Sequence, residues 1–170
     1  KINSELKTYK GDYDERKYYD YYNVENVEIL NCSINKSRVG IGTLEVENTK
    51  ILDNNVRNSE CNNIMMSGKN IDCIGNTIGS HSLGTGSIVF DKSEKIKINN
   101  NLIDEKNSTN KELYRNGIYH NSEKGPSYYA QINNNYILNA SRGIWLKDSR
   151  YMKNTVTNGN EEINCIGSRP

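Results

Sequence analysis

The residues of this chain best suited to chemistry follow two Gly-Ile pairs in its second half. The first pair leads into Tyr119 and Asn121, and the second leads into Trp145 and Lys147. Asp91 has the same place after an earlier isoleucine. A flat aromatic ring beside an amide or a charge suits a sugar, because the C–H face of the sugar stacks on the ring while its hydroxyls form hydrogen bonds. We therefore predict that these five residues form a carbohydrate-binding surface.

The elements that must position these residues are set by an internal repeat. A phrase of the form apolar-x-x-Asn-x-apolar occurs six times, with gaps of 22, 22, 25, 34 and 19 residues between the Asn positions. Such a period is typical of a solenoid in which each repeat forms one coil. Apolar residues alternate with a period of two over runs too short for a helix, so the coils are built of strands. The Asn positions are Cys32 (which replaces the asparagine), Asn54, Asn76, Asn101, Asn135 and Asn154.

A second column of isoleucines orients the predicted surface. One isoleucine opens a short apolar phrase after each Asn position. When these isoleucines face inward, strand alternation points the first and third residues after them outward. This places the two aromatic residues side by side on adjacent coils, and the insertions 104–116 and 121–127 flank them. The column consists of Ile41, Ile64, Ile88, Ile118, Ile144 and Ile163.

Asparagine in one slot of every coil has two physical explanations. It tolerates the left-handed backbone conformation that a tight corner between strands needs. Side-chain amides stacked at the strand spacing of about 4.8 Å also form hydrogen bonds along the column. Cys32 interrupts this column at its first position, where the loss of one rung is smallest.

This order of short strand, Asn corner, strand, variable loop and Gly-Ile strand resembles the right-handed parallel β-helix of the pectate-lyase-like superfamily. The resemblance covers about residues 23–166. It implies an all-β, right-handed parallel β-helix of about six coils with an Asn ladder. Residues 1–22 are then a tyrosine-rich N-terminal loop or cap, and residues 23–170 the β-helix domain. Because the last coil ends without a capping helix, we expect this domain to be part of a longer solenoid, or its end to be covered by another chain.

The superfamily includes polysaccharide lyases, polygalacturonases and phage tailspikes, so the resemblance implies an extracellular, cell-surface or virion location. We predict a glycan-directed recognition module whose partner is a polysaccharide or a surface glycan. A structural shaft or adhesin stalk is an alternative. In that case the outward residues from Met65 to Trp145 form an apolar stripe that is buried in a homotrimer.

An enzyme is the other alternative, as a polysaccharide lyase or glycoside hydrolase. Lyases of the superfamily hold calcium with a carboxylate cluster and use an Arg or Lys base, so calcium is the one cofactor that this interpretation implies; otherwise none is expected. The Asp-Pro-His-Asp motif of the epimerases is absent. The candidate catalytic residues are Asp91, Lys147, Asp148 and Arg150.

Composition argues against several other classes. The net charge of +1 gives no electrostatic reason to bind nucleic acid, and no apolar run approaches the length of a membrane span. The four cysteines lack CxxC spacing and are expected to be mostly buried thiols, so no metal site is predicted. His120 falls on the inward face and is expected to be a core residue, whereas His81, in a Gly/Ser-rich loop, is expected to be solvated.

Overall fold

All regular structure in the described part of the chain is β-strand, wound as a parallel solenoid of about five turns. The prediction of an all-β parallel β-helix is therefore confirmed. The described residues contain no helix that is long and apolar enough to cross a membrane. The computed structural model describes residues 2–8, 22–106, 115–123, 125–147 and 152–165.

Each turn passes through two sheets. In the first turns one long strand of sheet A bends around a corner, and in the later turns the same path is divided into shorter strands. Sheet A consists of β1 (Ile2–Thr8), β2 (Tyr22–Leu30), β4 (Ile41–Leu52), β6 (Ile64–Ile74), β8 (Gly86–Asn99), β10 (Asn116–His120), β11 (Ser127–Tyr128), β12 (Gln131–Asn133), β14 (Arg142–Leu146), β15 (Met152–Lys153) and β16 (Val156–Asn158). Sheet B consists of β3 (Ser33–Asn35), β5 (Asn55–Arg57), β7 (Thr77–Ile78), β9 (Leu102–Asp104), β13 (Tyr136–Leu138) and β17 (Glu161–Ile163).

The first strand of the chain differs from the others in direction. β1 pairs with β2 in an antiparallel register, whereas β2 pairs with β4 in a parallel one. Residues 2–8 therefore lie along the first edge of the solenoid and do not add a coil of their own. Residues 9–21, the remainder of the predicted N-terminal loop or cap, lie outside the described residues.

The core is a stack of aliphatic side chains inside the coils. Ile64, Ile88 and Ile118 are completely buried and pair in register across β6, β8 and β10. Five of the six predicted inward isoleucines occupy this column, since Ile41 and Ile144 continue it at its two ends. A solenoid interior is narrow, so branched aliphatic side chains in register fill it with few voids.

The interior asparagines form the predicted ladder. Asn101 donates from Nδ2 to Asn135 Oδ1 at 2.9 Å, and its own Oδ1 accepts from the Nδ2 (3.0 Å) and the backbone N (2.9 Å) of Asn76. Its Nδ2 also donates to the Cys73 carbonyl at 3.0 Å. These side chains therefore satisfy backbone groups at a buried corner, where water cannot do so.

The left-handed residue at this corner is not the ladder asparagine, as the sequence suggested, but the residue before it. Asp53 has a φ of 56°, Gly75 of 70° and Asn100 of 56°. The turn is made at this preceding position, which leaves the ladder asparagine free to direct its amide into the stack. The prediction that the ladder asparagine itself adopts the left-handed conformation was thus wrong by one residue.

The last repeat is displaced from its predicted position. Asn135 donates to Asn160 Oδ1 at 2.9 Å, so Asn160, rather than Asn154, continues the ladder. Asn154 instead makes an earlier corner with a φ of 55°. The pattern fits Asn154, with Tyr151 and Val156 at its apolar positions, but not Asn160, which has Thr157 and Glu162 there. Ile163 pairs with Leu138 in sheet B and does not continue the column of inward isoleucines, and the solenoid has about five turns instead of the predicted six.

Candidate functional site

The aromatic pair of the predicted surface lies on adjacent strands. Tyr119 of β10 pairs with Val89 on one side and Trp145 of β14 on the other. The ring centroids of Tyr119 and Trp145 are 5.1 Å apart at an interplanar angle of 32°. Tyr119 is only 5% exposed, whereas Trp145 is partly exposed. Trp145 therefore presents the accessible ring, and Tyr119 supports it from the neighbouring coil.

The polar members of the surface follow on the same strands. The backbone N of Asn121 donates to the Phe90 carbonyl at 2.9 Å, which places Asn121 next to Asp91 on the neighbouring coil. Lys147 follows β14 and pairs with Glu123. Asp91 is 5% exposed and lies two strands, or about 10 Å, from Lys147. The structure thus brings four of the five predicted residues onto two adjacent coils and places Asp91, which is as buried as Tyr119, on the next coil.

Charge near the aromatic pair comes from two residues that the sequence analysis missed. The Arg142 guanidinium carbon lies 4.1 Å from the centroid of a Trp145 ring, in a cation–π contact. Glu123 pairs with Lys147 from the insertion at 121–127. Burial raises the pKa of the Tyr119 hydroxyl, the Lys147 ammonium opposes that rise, and Glu123 adds to it. Arg142 could have been predicted from the sequence, since it directly precedes the Gly-Ile pair that leads into Trp145. No pattern in the sequence points to Glu123.

The catalytic alternative is only partly covered by the structure. Asp91 and Lys147 have the positions given above, while Asp148 and Arg150 lie outside the described residues. Among the residues that the structure does describe, no three His, Cys, Asp or Glu side chains gather as a metal site. The catalytic set and its calcium therefore stay predictions.

The apolar stripe is largely covered within a single chain. Val89 is 2% exposed and Tyr119 is 5% exposed, while Met65 and Trp145 at the two ends of the stripe are partly exposed. A Cβ placed on Gly86 would lie 2.9 Å from Tyr119 Cβ, so the first residue of β8 packs closely on this part of the stripe. Only the ends of the stripe are left for contact with another chain.

A buried polar cluster anchors the loop that leads into β8. His81 is 1% exposed, so its predicted solvation is wrong. Its Nδ1 lies 3.0 Å from Glu105 Oε1 and its Nε2 lies 3.0 Å from the Gly84 carbonyl oxygen. Ser87 donates to the same Glu105 oxygen, and Asn63 Nδ2 lies 3.3 Å from Ser87 Oγ. Glu105 belongs to the next coil, and the sequence does not reveal that this coil covers His81.

The other histidine is in the core, as expected. His120 is fully buried, its ring centroid is 5.1 Å from that of Phe90, and its Nε2 lies 3.1 Å from Ser127 Oγ. Burial lowers the pKa of His120, although backbone contacts of Lys147 and Gly125 oppose the lowering. The neutral imidazole is therefore a packing group.

Parallel coils, a buried Asn ladder and outward side chains in register define the chain as a parallel β-helix protein. A family model described as periplasmic copper-binding protein (NosD) matches residues 2–168. The chain therefore belongs to the NosD family, a family of right-handed parallel β-helices. The periplasmic description agrees with the expected location outside the cytoplasm. A comparison with curated proteins found no match.

The copper named in the family description requires His, Cys or Met ligands that converge. Both histidines, all four cysteines and all three methionines of the chain lie among the described residues. Phe90 separates Met66 from His120 across three paired strands. Burial raises the pKa of the Cys73 thiol to about 12, which disfavours the thiolate that binds metal. The arrangement of these donors therefore does not fit a copper site.

We expect this chain to retain no stoichiometric copper. After incubation with Cu(I) or Cu(II) and passage through a chelating column, the metal bound per chain should be far below one equivalent. Cys32, Cys61 and Cys165 are the partly exposed cysteines, so changing all three to serine should abolish residual binding by thiols. One equivalent of copper that survives the chelator and the three serine changes would contradict this expectation.

Proposed function

We propose that the chain is a glycan-binding module of the cell envelope or cell surface, and that the surface around Trp145 receives the sugar. The observation that carries the proposal is the partly exposed Trp145 ring, supported by Tyr119 at a centroid distance of 5.1 Å. Rings that are held in place by a neighbour lose little conformational entropy when a ligand stacks on them.

The surrounding polar groups supply the hydrogen bonds that a sugar needs. Lys147 is a donor, Glu123 an acceptor and the Asn121 side-chain amide both. Arg142 lies over the Trp145 ring and adds a further donor beside the stacking position. A polysaccharide or a surface glycan is accordingly the proposed partner, at a cell surface or on a virion, and no nucleic acid or membrane insertion is invoked.

The proposal predicts that Trp145 fluorescence changes saturably when the protein is titrated with a panel of neutral and acidic polysaccharides. Trp145 is the only tryptophan, so the signal is local to the proposed surface. Lys147→Ala should weaken the response about tenfold, since it removes a charged hydrogen-bond donor. Tyr136→Ala, which alters a 39%-exposed tyrosine on sheet B, should leave it unchanged.

Calorimetry on Trp145→Ala completes the test, because that variant has no tryptophan signal. Loss of binding is the expected result. A full panel without any response, or equal effects of Lys147→Ala and Tyr136→Ala, would refute the proposal. Shortening of the polysaccharide over hours, with and without calcium, would instead support the lyase or hydrolase alternative.

A further inference from the structure

A groove of about 470 Å³ runs along the solenoid over the corner at which the strands of sheet A bend. Its floor is one column of paired residues from successive coils: Val24, Val46, Gly68 and Ser93. Ser127 follows on the next coil, since its Oγ accepts from the Ser93 backbone N at 3.2 Å. Four steps at the strand spacing make the column about 19 Å long, which suits an extended polymer better than a single ring.

The groove is deep at Gly68, a position that cannot accommodate a side chain. Gly68 has a φ of 130°, and a Cβ at this position would lie 1.9 Å from the Val46 carbonyl oxygen. Ser93 beside it is 1% exposed. The floor is therefore backbone and small side chains, and a flat ligand can approach it closely.

The charged residues of the groove already pair with one another. Lys69 Nζ lies 3.7 Å from Glu94 Oε2, and Lys92 Nζ lies 4.0 Å from Glu45 Oε1. Glu47 is the fifth charged residue of the lining, so three carboxylates face two ammonium groups. A polyanion such as a polyuronate gains nothing from this balance, whereas a neutral ligand meets alternating donors and acceptors.

An extended peptide fits the groove less well than a sugar chain. Peptides bind to sheets mainly by adding a strand at an unpaired edge. The floor residues Val46 and Gly68 lie within paired strands, so their backbone groups are engaged by neighbouring coils. What the groove offers is side-chain donors and acceptors, together with the ring of Tyr128 next to Glu94.

We propose that this corner groove binds an extended, uncharged polysaccharide chain, with Tyr128 as its stacking residue. The inference rests on the proposed glycan-binding function and names the class of glycan. It also adds a binding site that is separate from the Trp145 surface.

The test compares neutral oligosaccharides of increasing length with oligouronates of the same length, by calorimetry on the full chain. Affinity should rise with the length of the neutral series, and the oligouronates should bind more weakly. Tyr128→Asn should weaken binding of the longest neutral oligomer about tenfold, since it removes an aromatic contact. Tyr129→Asn is the matched control: this neighbour is 52% exposed, does not line the groove, and has a φ of 56° that asparagine tolerates. It should change affinity less than about twofold.

The outcomes separate this inference from the proposed function. A Trp145 response together with equal effects of the two tyrosine variants, or with tighter binding of oligouronates, overturns the groove and leaves the Trp145 surface in place. Length-dependent neutral binding without a Trp145 response supports the groove and refutes the Trp145 surface. If Tyr128→Asn does not fold, Lys69→Gln replaces it, because this 42%-exposed side chain lines the groove. An unchanged affinity in Lys69→Gln would then count against the groove.

Discussion

Replacing Asn101 by alanine is expected to lower the free energy of unfolding by about 3–5 kcal/mol, because several buried groups lose their partners at about 1–3 kcal/mol each. Asn101 Oδ1 accepts from both the backbone and the side chain of Asn76, and its Nδ2 donates to the Cys73 carbonyl and to Asn135. Asn101 is 1% exposed, so water cannot replace these bonds without opening the coil. A loss of this size is a large share of the stability of a typical domain.

Urea unfolding followed by far-UV circular dichroism measures this loss. Asn55→Ala is the matched control, since Asn55 follows a ladder position and accepts only an exposed hydrogen bond from Arg57 Nε at 2.7 Å. It should cost less than about 1 kcal/mol. Equal costs for the two variants would show that the ladder contributes no more than a surface amide.

Glu105→Ala is expected to destabilise the protein by about 3–5 kcal/mol, because several buried groups lose a partner at about 1–3 kcal/mol each. The Glu105 and His81 side chains are fully buried, and Ser87 donates to the same carboxylate oxygen. Arg115 is also affected: burial lowers the pKa of its guanidinium, and the Glu105 carboxylate opposes that lowering. The alanine variant would leave His81 and Ser87 without this oxygen, and Arg115 without the nearby carboxylate charge.

Glu105→Gln tests whether the charge or the hydrogen bonds matter. The glutamine oxygen can still accept from Ser87 and from the His81 ring, so this variant should lose less stability than Glu105→Ala. The same urea titrations apply, and the Trp145 emission reports whether the start of β8, which follows the loop and packs on Tyr119, has moved. An alanine variant as stable as the unmodified chain would show that the cluster does not anchor the loop.

The candidate site could be predicted in part because strand alternation is local. Counting two residues at a time from Ile118 and Ile144 was enough to place Tyr119 and Trp145 outward and His120 inward. Alternation does not reveal whether another part of the chain buries an outward side chain. Tyr119 is almost completely buried, with the start of β8 packed close to it at Gly86, and this follows only from the folded chain.

The fold class, the Asn ladder and the inward isoleucines were determined by the sequence itself, because each depends on a short period that repeats along the chain. The register of the last coil, the burial of His81 and the pairing of Lys147 with Glu123 were decided only by the tertiary structure. Each of these depends on which loops from separate coils meet. The variable insertions determine these contacts between loops, and no local pattern of residues encodes the contacts.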